Sequence, residues 1–258
     1  MLVLLPPSET KASGGAAERL NLQGLGYPAL RPVRERLVWA LVELAADVPR
    51  SLKALGLSPR GEFEVERNAG LRDAPTLPAL RRYTGVLFDA LDVGSMRPAE
   101  FRRAGARLAV CSALFGLVRG HDRIPAYRLS AGSTLPGEPS IGSLWRTVLP
   151  SVLSTVDSMV VDLRSGPYAS LGVARGAITV AVVSAGPSGT RVAPSHHNKS
   201  YKGRLARALA LRPRAPRSVT DLLETAEAAG LRVEQTARRS LALIVDARHE
   251  PAPGARST

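Results

Sequence analysis

The sequence predicts a mixed α/β fold: one compact domain over residues 1–247, with a central mixed sheet flanked by helices and a basic cleft, and a flexible tail over 248–258. Three observations carry this expectation. Short, unbroken aliphatic runs rich in β-branched residues recur along the chain, as buried strands do. Segments with apolar residues at helical spacing lie between them. The two kinds alternate too irregularly for a doubly wound sheet, and no internal repeat or long linker divides the 258 residues. Hydrophobic residues make up 45% of the chain, enough aliphatic material for a core.

In chain order, MLVLL at 1–5 reads as a buried strand closed by Pro6 and Pro7. The Gly-rich stretch 12–28 reads as an ordered surface loop. Val33 to Val48 has the spacing of an amphipathic helix that stops before Pro49, and Arg50 to Leu55 that of a second, ended by Gly56. Helical pieces Leu77–Arg82 and Val86–Leu91 flank the break Tyr83-Thr84-Gly85. Residues 107–111 and 159–163 read as strands, and 177–184 as a strand covered on both faces. IGSLWRTVLPSVLSTV is helical in period, with Pro150 set to kink or divide it. Val219–Ala229 reads as a helix capped by Gly230, followed by paired strands Leu231–Gln235 and Leu241–Asp246.

Composition narrows the chemistry. The formal net charge of +13 attracts polyanions, so DNA or a nucleotide-like ligand is the expected partner. Cys111 is the sole cysteine, which excludes an intramolecular disulfide; its apolar setting, LAVCSALFG, predicts a buried, inert thiol. No apolar run reaches the ~20 residues of a membrane span, and the start lacks a charged region and cleavage site. A cytoplasmic monomer without cofactor or metal is the expectation. Motifs for a P-loop, a nucleophile elbow and a zinc protease are missing. Of His121, His196, His197 and His249, the adjacent pair lacks a carboxylate or thiolate at ligand spacing.

Two segments concentrate polar chemistry. Ser195 to Arg217 carries Lys199, Lys202, Arg204, Arg207, Arg212, Arg214 and Arg217 without one acidic residue. A helix starting near Tyr201 sets Arg204 and Arg207 on one face, behind Lys199 and Lys202, in a pattern suited to phosphates. Residues 111–132 pass from an apolar strand into Ser112, Gly116, Arg119, Asp122, Tyr127 and Arg128. Here Arg119 and Arg128 are placed to fork onto a phosphate or carboxylate, and Asp122 either orients one of them or simply anchors the loop. Three turns at strand ends, PPSETK at 6–11, YTG at 83–85 and DLRSGPY at 162–168, are each compatible with an ordinary turn; taken together they could point Lys11 and Ser165 into one cleft with the basic segment.

These pieces resemble the peroxide stress protein YaaA family. MLVLLPPSETK is similar to the family's amino-terminal strand and turn, and YTGVLFDAL to its YTG motif. SALFGLVRGHDRIPAYRLSAG resembles its SGLYGxLRPxDxxxPYRLEMG motif, VVDLRSGPY its strand ending in a polar turn, and KSYKGRLAR its basic KxxRGxxxR segment. The matches keep their order from Met1 to about Asp246. Departures fall at Ser130, where the family has an acid, at Gly120, where it has proline, and at Lys202, where it has arginine. The resemblance implies a compact α/β fold, a positively charged cleft, protection against peroxide, lower free iron, and DNA binding through a helix-hairpin-helix element. Leu55-Gly56-Leu57 and Leu22 to Gly26 are the two candidate hairpins. Carried over residue by residue, it marks Lys11, Thr84, Gly85, Ser112, Gly116, Arg119, Asp122, Tyr127, Arg128, Ser165, Tyr168, Lys199, Lys202, Gly203 and Arg207.

Two readings follow. In the first, Lys11, Arg119, Arg128, Lys199, Lys202, Arg204 and Arg207 hold DNA phosphates, in a cleft lined by Thr84, Gly85, Ser112, Gly116, Tyr127 and Gly203. In the second, an enzyme acts on a nucleotide or nucleobase in the same cleft, with Lys11, Asp122, Ser165 and Tyr168 as catalytic candidates. The second requires Lys11, Arg119, Asp122, Arg128, Ser165 and Tyr168 to converge.

Overall fold

Four consecutive aliphatic residues, Leu2–Leu5, form strand β1, and all four are buried because both faces of the strand are covered. A computed structural model describes residues 1–16, 18–185, 191–192 and 198–246 of the chain. His196, His197, His249 and the tail expected over 248–258 lie outside the described residues.

The strands that follow are β2 (Leu77–Pro78), β3 (Leu108–Ser112), β4 (Gly116–Arg119), β5 (Arg123–Ile124), β6 (Val160–Asp162), β7 (Ile178–Ala185), β8 (Arg191–Val192), β9 (Arg232–Ala237) and β10 (Ser240–Asp246). The main sheet has the order β4-β3-β1-β6-β7-β10-β9, with β8 beside β7. Strands β3, β1, β6, β7 and β10 run parallel, and β4 and β9 close the two edges antiparallel. From β1 the chain goes outward to β3 and β4, then returns across β1 to β6. That reversal creates a switch point beside β1, and ligands of open α/β sheets bind outside the carboxyl ends of the strands at such a point.

The helices are α1 (Arg31–Leu44), α2 (Val48–Leu55), α3 (Glu62–Ala69), α4 (Ala79–Arg82), α5 (Val86–Leu91), α6 (Pro98–Arg107), α7 (Ile141–Arg146), α8 (Leu149–Ser154), α9 (Gly166–Ala169), α10 (Asn198–Leu211) and α11 (Val219–Ala228). Helix α10 packs on α5, α6, α11 and β7, while α1, α2 and α3 pack on one another. A continuous hydrophobic cluster runs through both groups and the sheet.

Several local expectations shift. The first helix ends at Leu44, not Val48, because Asp47 caps a new helix by accepting the Arg50 N–H at 3.0 Å. Pro49 then opens α2 instead of stopping α1, as proline does in a first turn. Pro150 likewise sits in the first turn of α8 and divides the expected long helix in two. Leu77–Pro78 pairs with β5, so only one helical turn remains before Arg82. Strand β7 alternates buried Ile178, Val180 and Val182 with exposed Thr179 and Ala181, so it is not covered on both faces. The paired strands near the end form the β9–β10 hairpin.

Candidate functional site

The loop after β1 is stitched to the YTG turn. Lys11 and Tyr83 form a β-bridge, Ala12 N–H donates to the Arg82 carbonyl at 2.9 Å, and Thr84 N–H donates to the Thr10 carbonyl at 3.3 Å. Gly85 makes this approach possible: its φ is +92°, and a Cβ there would lie 3.2 Å from Ser8 Oγ and 3.3 Å from Thr10 Oγ1. Ser8, Thr10 and Thr84 consequently form a hydroxyl chain with 3.1 Å spacings.

Beneath these hydroxyls lies Lys11. Its side chain is almost wholly buried, with Nζ 4.2 Å from the Tyr127 ring centroid and 5.6 Å from that of Tyr83. Nζ donates to the carbonyls of Ser8 (3.1 Å) and Glu9 (3.2 Å). Burial, aided by the nearby cations Arg128 and Arg67 and opposed by Glu9 and Glu64, lowers its pKa to about 7. The floor is a buried hydroxyl relay: Tyr83 and Tyr127 share a 2.8 Å hydrogen bond, and Tyr127 a 2.7 Å bond with Ser112 Oγ. Ser112 in turn accepts the N–H groups of Leu114 and Phe115 at the end of β3. Burial pushes the Tyr83 phenol up to about 12 and Tyr127 further, so both stay neutral donors at ordinary pH.

The wall comes from the segment after β6. Tyr168 is raised well above its usual value by burial and by Glu9, against the opposing influence of the Ala131 backbone. Asp162 holds Arg164 through two contacts, 2.9 and 2.7 Å, and Arg164 reaches Cys111 Sγ at 3.7 Å. Cys111 is fully buried and its thiol pKa is raised, as its apolar setting led us to expect. Ser165 is exposed in the same segment, its hydroxyl without a partner among the described residues.

Arg128 joins this cluster to a second feature. It pairs with Glu9 at 2.9 Å, and its backbone is clamped from both sides by the buried Asn68 amide. The same Arg128 lines a cavity of about 750 Å³ with Arg50, Lys53, Ser130, Ser133 and Thr134. None of the lining residues is acidic. Gly56, in the left-handed region at φ +65°, forms part of its wall where α2 turns toward α3.

The structure thus brings Lys11, Thr84, Gly85, Ser112, Tyr127, Arg128, Ser165 and Tyr168 to the carboxyl edge of the sheet. It takes others away. Arg119 faces Ala109 in the β3–β4 register, at the opposite end from Ser112, and packs on the Tyr27 ring. Asp122 is beside it, accepting the N–H groups of Arg119 (2.8 Å) and Gly26 (3.0 Å), a loop anchor. The sixfold convergence required of the second reading therefore fails at these two residues. Gly116 is a packing position against Trp145, and Gly203 one against α5, where a Cβ would fall 2.2 Å from the Leu87 carbonyl. Arg207 ties α10 to the carbonyls of Leu91 and Asp92, and Lys202 donates to the carbonyls of Leu163 and Arg164. Arg207 is a structural tie, whereas Lys202 fastens α10 to the Leu163–Arg164 wall beside Ser165. Lys199 and Arg204 are exposed on α10.

Sequence reasoning passed over Arg82, Tyr83, Ser8, Glu9, Thr10 and Asn68. Ser8, Glu9, Thr10 and Tyr83 lie within the recognised turns and Arg82 beside one, but nothing in spacing alone shows that 6–11 and 82–85 pair.

Comparison with known proteins bears on this arrangement. The family model described as "Peroxide stress protein YaaA" matches residues 1–237. The chain belongs to the YaaA family. It is 45% identical over 251 residues to the UPF0246 protein CE1889 of Corynebacterium efficiens, covering 95% of this chain and 100% of that one. It is 42% identical over 242 residues to the UPF0246 protein SCO2297 of Streptomyces coelicolor, covering 92% and 93%. A Campylobacter jejuni protein, Cj0984, is 24% identical over 172 residues, covering 65% and 69%. The matched span contains every element that builds the Lys11 cluster and the Arg128 cavity. No described helix is long and apolar enough to cross a membrane, and no described group of three or more His, Cys, Asp or Glu is placed to hold a metal ion.

Proposed function

We propose that this YaaA-family protein acts in the peroxide stress response by binding DNA through its basic cavity, as a cytoplasmic monomer. The observation that carries the reading is the cavity beside Gly56, where Arg50, Lys53 and Arg128 converge with no acid among the lining residues. Hydroxyls of Ser130, Ser133 and Thr134 add neutral donors for phosphate oxygens. Of the two candidate hairpins, Leu55-Gly56-Leu57 lies between two helices, α2 and α3, whereas Leu22 to Gly26 has no described helix before it, only the 3-10 turn and α1 after it. A helix-hairpin-helix contact with the sugar-phosphate backbone therefore centres on Gly56. Bound protein would shield DNA from iron-dependent oxidative damage without itself holding iron.

The test uses two exposed cations that take no part in the core. Fluorescence anisotropy with a labelled duplex, titrated at several salt concentrations, should give salt-sensitive and sequence-tolerant binding. The Arg50→Glu, Lys53→Glu double variant should bind several-fold more weakly. Its log–log salt slope should shrink by about 2, since each phosphate contact contributes about 0.9. Equal affinity and slope in the variant would remove the cavity from consideration.

A further inference from the structure

Of the 35 basic side chains in this chain, four are lysines, at 11, 53, 199 and 202. Arginine serves nearly every cationic purpose here, so the buried position 11 stands out. The two residue types differ in one property that matters at such a site: a lysine can shed its proton and become a nucleophile, and a guanidinium cannot.

The surroundings of Lys11 suit that role. Its Nζ rests on the Tyr127 ring, at the switch point of the parallel sheet, under a rim of hydroxyls from Ser8, Thr10 and Thr84. The charged and titratable groups facing it are Glu9, Glu64, Arg67, Arg128, Tyr83 and Tyr127. Glu64 is already paired with Arg67, and Glu9 with Arg128. Glu9 is half exposed, so the Glu9–Arg128 pair forms the solvent side of the cluster, and Arg128 leads from it into the basic cavity. A phosphate at Arg128 would compete with Glu9 for the guanidinium.

We propose that Lys11 is the amine of a Schiff-base site for the open-chain aldehyde of a phosphorylated pentose, presented by an abasic position in DNA or as the free sugar phosphate. The hydroxyl rim matches sugar hydroxyls, Arg128 the phosphate, and the buried amine the carbonyl carbon. In the step, the Nζ lone pair attacks that carbon and a carbinolamine forms. The carbonyl oxygen gains one proton from the amine and one from solvent, leaves as water, and an iminium with one N–H remains. The lowered pKa of Lys11 keeps a large share of the amine neutral near pH 7. Only the DNA source of the aldehyde rests on the function proposed above.

The experiment is reductive trapping. Wild-type protein is incubated with sodium cyanoborohydride and either a duplex carrying one abasic site or deoxyribose 5-phosphate, and the modified peptide is located by mass spectrometry. An adduct concentrated on Lys11, absent from Lys11→Met and rising with half-maximum near pH 7, is the expected result. An adduct with the sugar phosphate alone assigns the free sugar as source; one with abasic DNA assigns DNA. No borohydride-dependent adduct with either, or adducts spread evenly over Lys11, Lys53, Lys199 and Lys202, overturns the proposal. Site mapping on the wild-type chain keeps the result independent of how well Lys11→Met folds. Anisotropy with undamaged duplex in the same buffer reports DNA binding separately, so the two readings can fail independently.

Discussion

Arg82→Met is the sharpest test of how the site is held. Arg82 is wholly buried, has no carboxylate partner among the described residues, and spends its guanidinium on four backbone carbonyls. Nε donates to Ile124 at 3.0 Å, Nη2 to Gly14 and Pro75 at 2.9 and 2.8 Å, and Nη1 to Ala12. Three separate segments, 12–14, 75 and β5, are thereby gathered around the residue that precedes Tyr83. Burial lowers its pKa only to about 10, so it stays charged under all ordinary conditions. Each buried acceptor left unpaired costs about 1–3 kcal/mol. Three of the four contacts are only half-buried, so water repairs part of the loss, and removing a desolvated charge returns some more. A net destabilisation of about 3–5 kcal/mol remains, in the range found when one partner of a buried charge contact is deleted. For a chain of this size that corresponds to a Tm lower by about 10 °C. Thermal denaturation followed by circular dichroism measures it. Arg82→Lys should fall between the two, because three N–H groups cannot span four carbonyls. A shift below about 2 °C for Arg82→Met would refute the reasoning that these carbonyls depend on the guanidinium.

Two further outcomes follow from the same geometry. The unfolded chain holds the Lys11 proton to the ordinary value of 10.5, whereas the folded chain releases it near 7. Between those values the unfolded state binds more protons, so wild type should gain stability relative to Lys11→Met as pH rises from 7 to 9.5, by no more than about 1.4 kcal/mol per unit. Urea denaturation across that range measures the difference, and a flat difference curve would contradict it. Gly203→Ala should destabilise by about 1–3 kcal/mol, although alanine is the better helix former, because its Cβ meets a backbone carbonyl of α5 that cannot rotate away. A more stable variant by urea denaturation would mean that α10 and α5 separate readily.

The legible part of the fold was the part written in local pattern. Unbroken aliphatic runs announced β1, β3, β6 and β10, and Gly230 and Pro150 marked helix boundaries near where they fall. Helices α3 and α6 went unread because EFEVERNA and PAEFRRAGAR carry few apolar residues and present most of their surface to solvent. Strand β4 was missed for a different reason: GLVR is short, and its antiparallel return depends on Gly116 at φ +65° beneath Trp145. At the site, hydroxyls and cations at strand ends suggested a common cleft; what the structure shows is the segments after β1, β3 and β6 packed together around a buried Lys11. Arg119 lies away from Ser112 and Tyr127, and of the two roles open to Asp122 the geometry matches the loop anchor, because sequence proximity says nothing about which end of a hairpin a residue occupies.

The charge of this chain also reads differently once its arginines are located. Arg34 donates to the carbonyls of Phe115, Gly26 and Leu117, Arg107 to those of Ala210, Arg212 and Pro213, and Arg207 to those of Leu91 and Asp92. With Arg82, these side chains act as multidentate caps for irregular backbone, a task for which a planar fork of five donors is well shaped. Their N–H groups are committed to carbonyls, so these four arginines count in the formal +13 but offer a ligand no free fork of donors. On the proposed function, recognition is local: Arg50, Lys53 and Arg128 around one cavity, with the Lys11 amine behind the Glu9–Arg128 pair. Affinity for a polyanion should then depend on those few positions far more than on total charge. Neutralising an equal number of exposed arginines elsewhere, such as Arg146, Arg175 and Arg238, is the natural control, because a global field would respond equally to both sets while a local site responds only to its own.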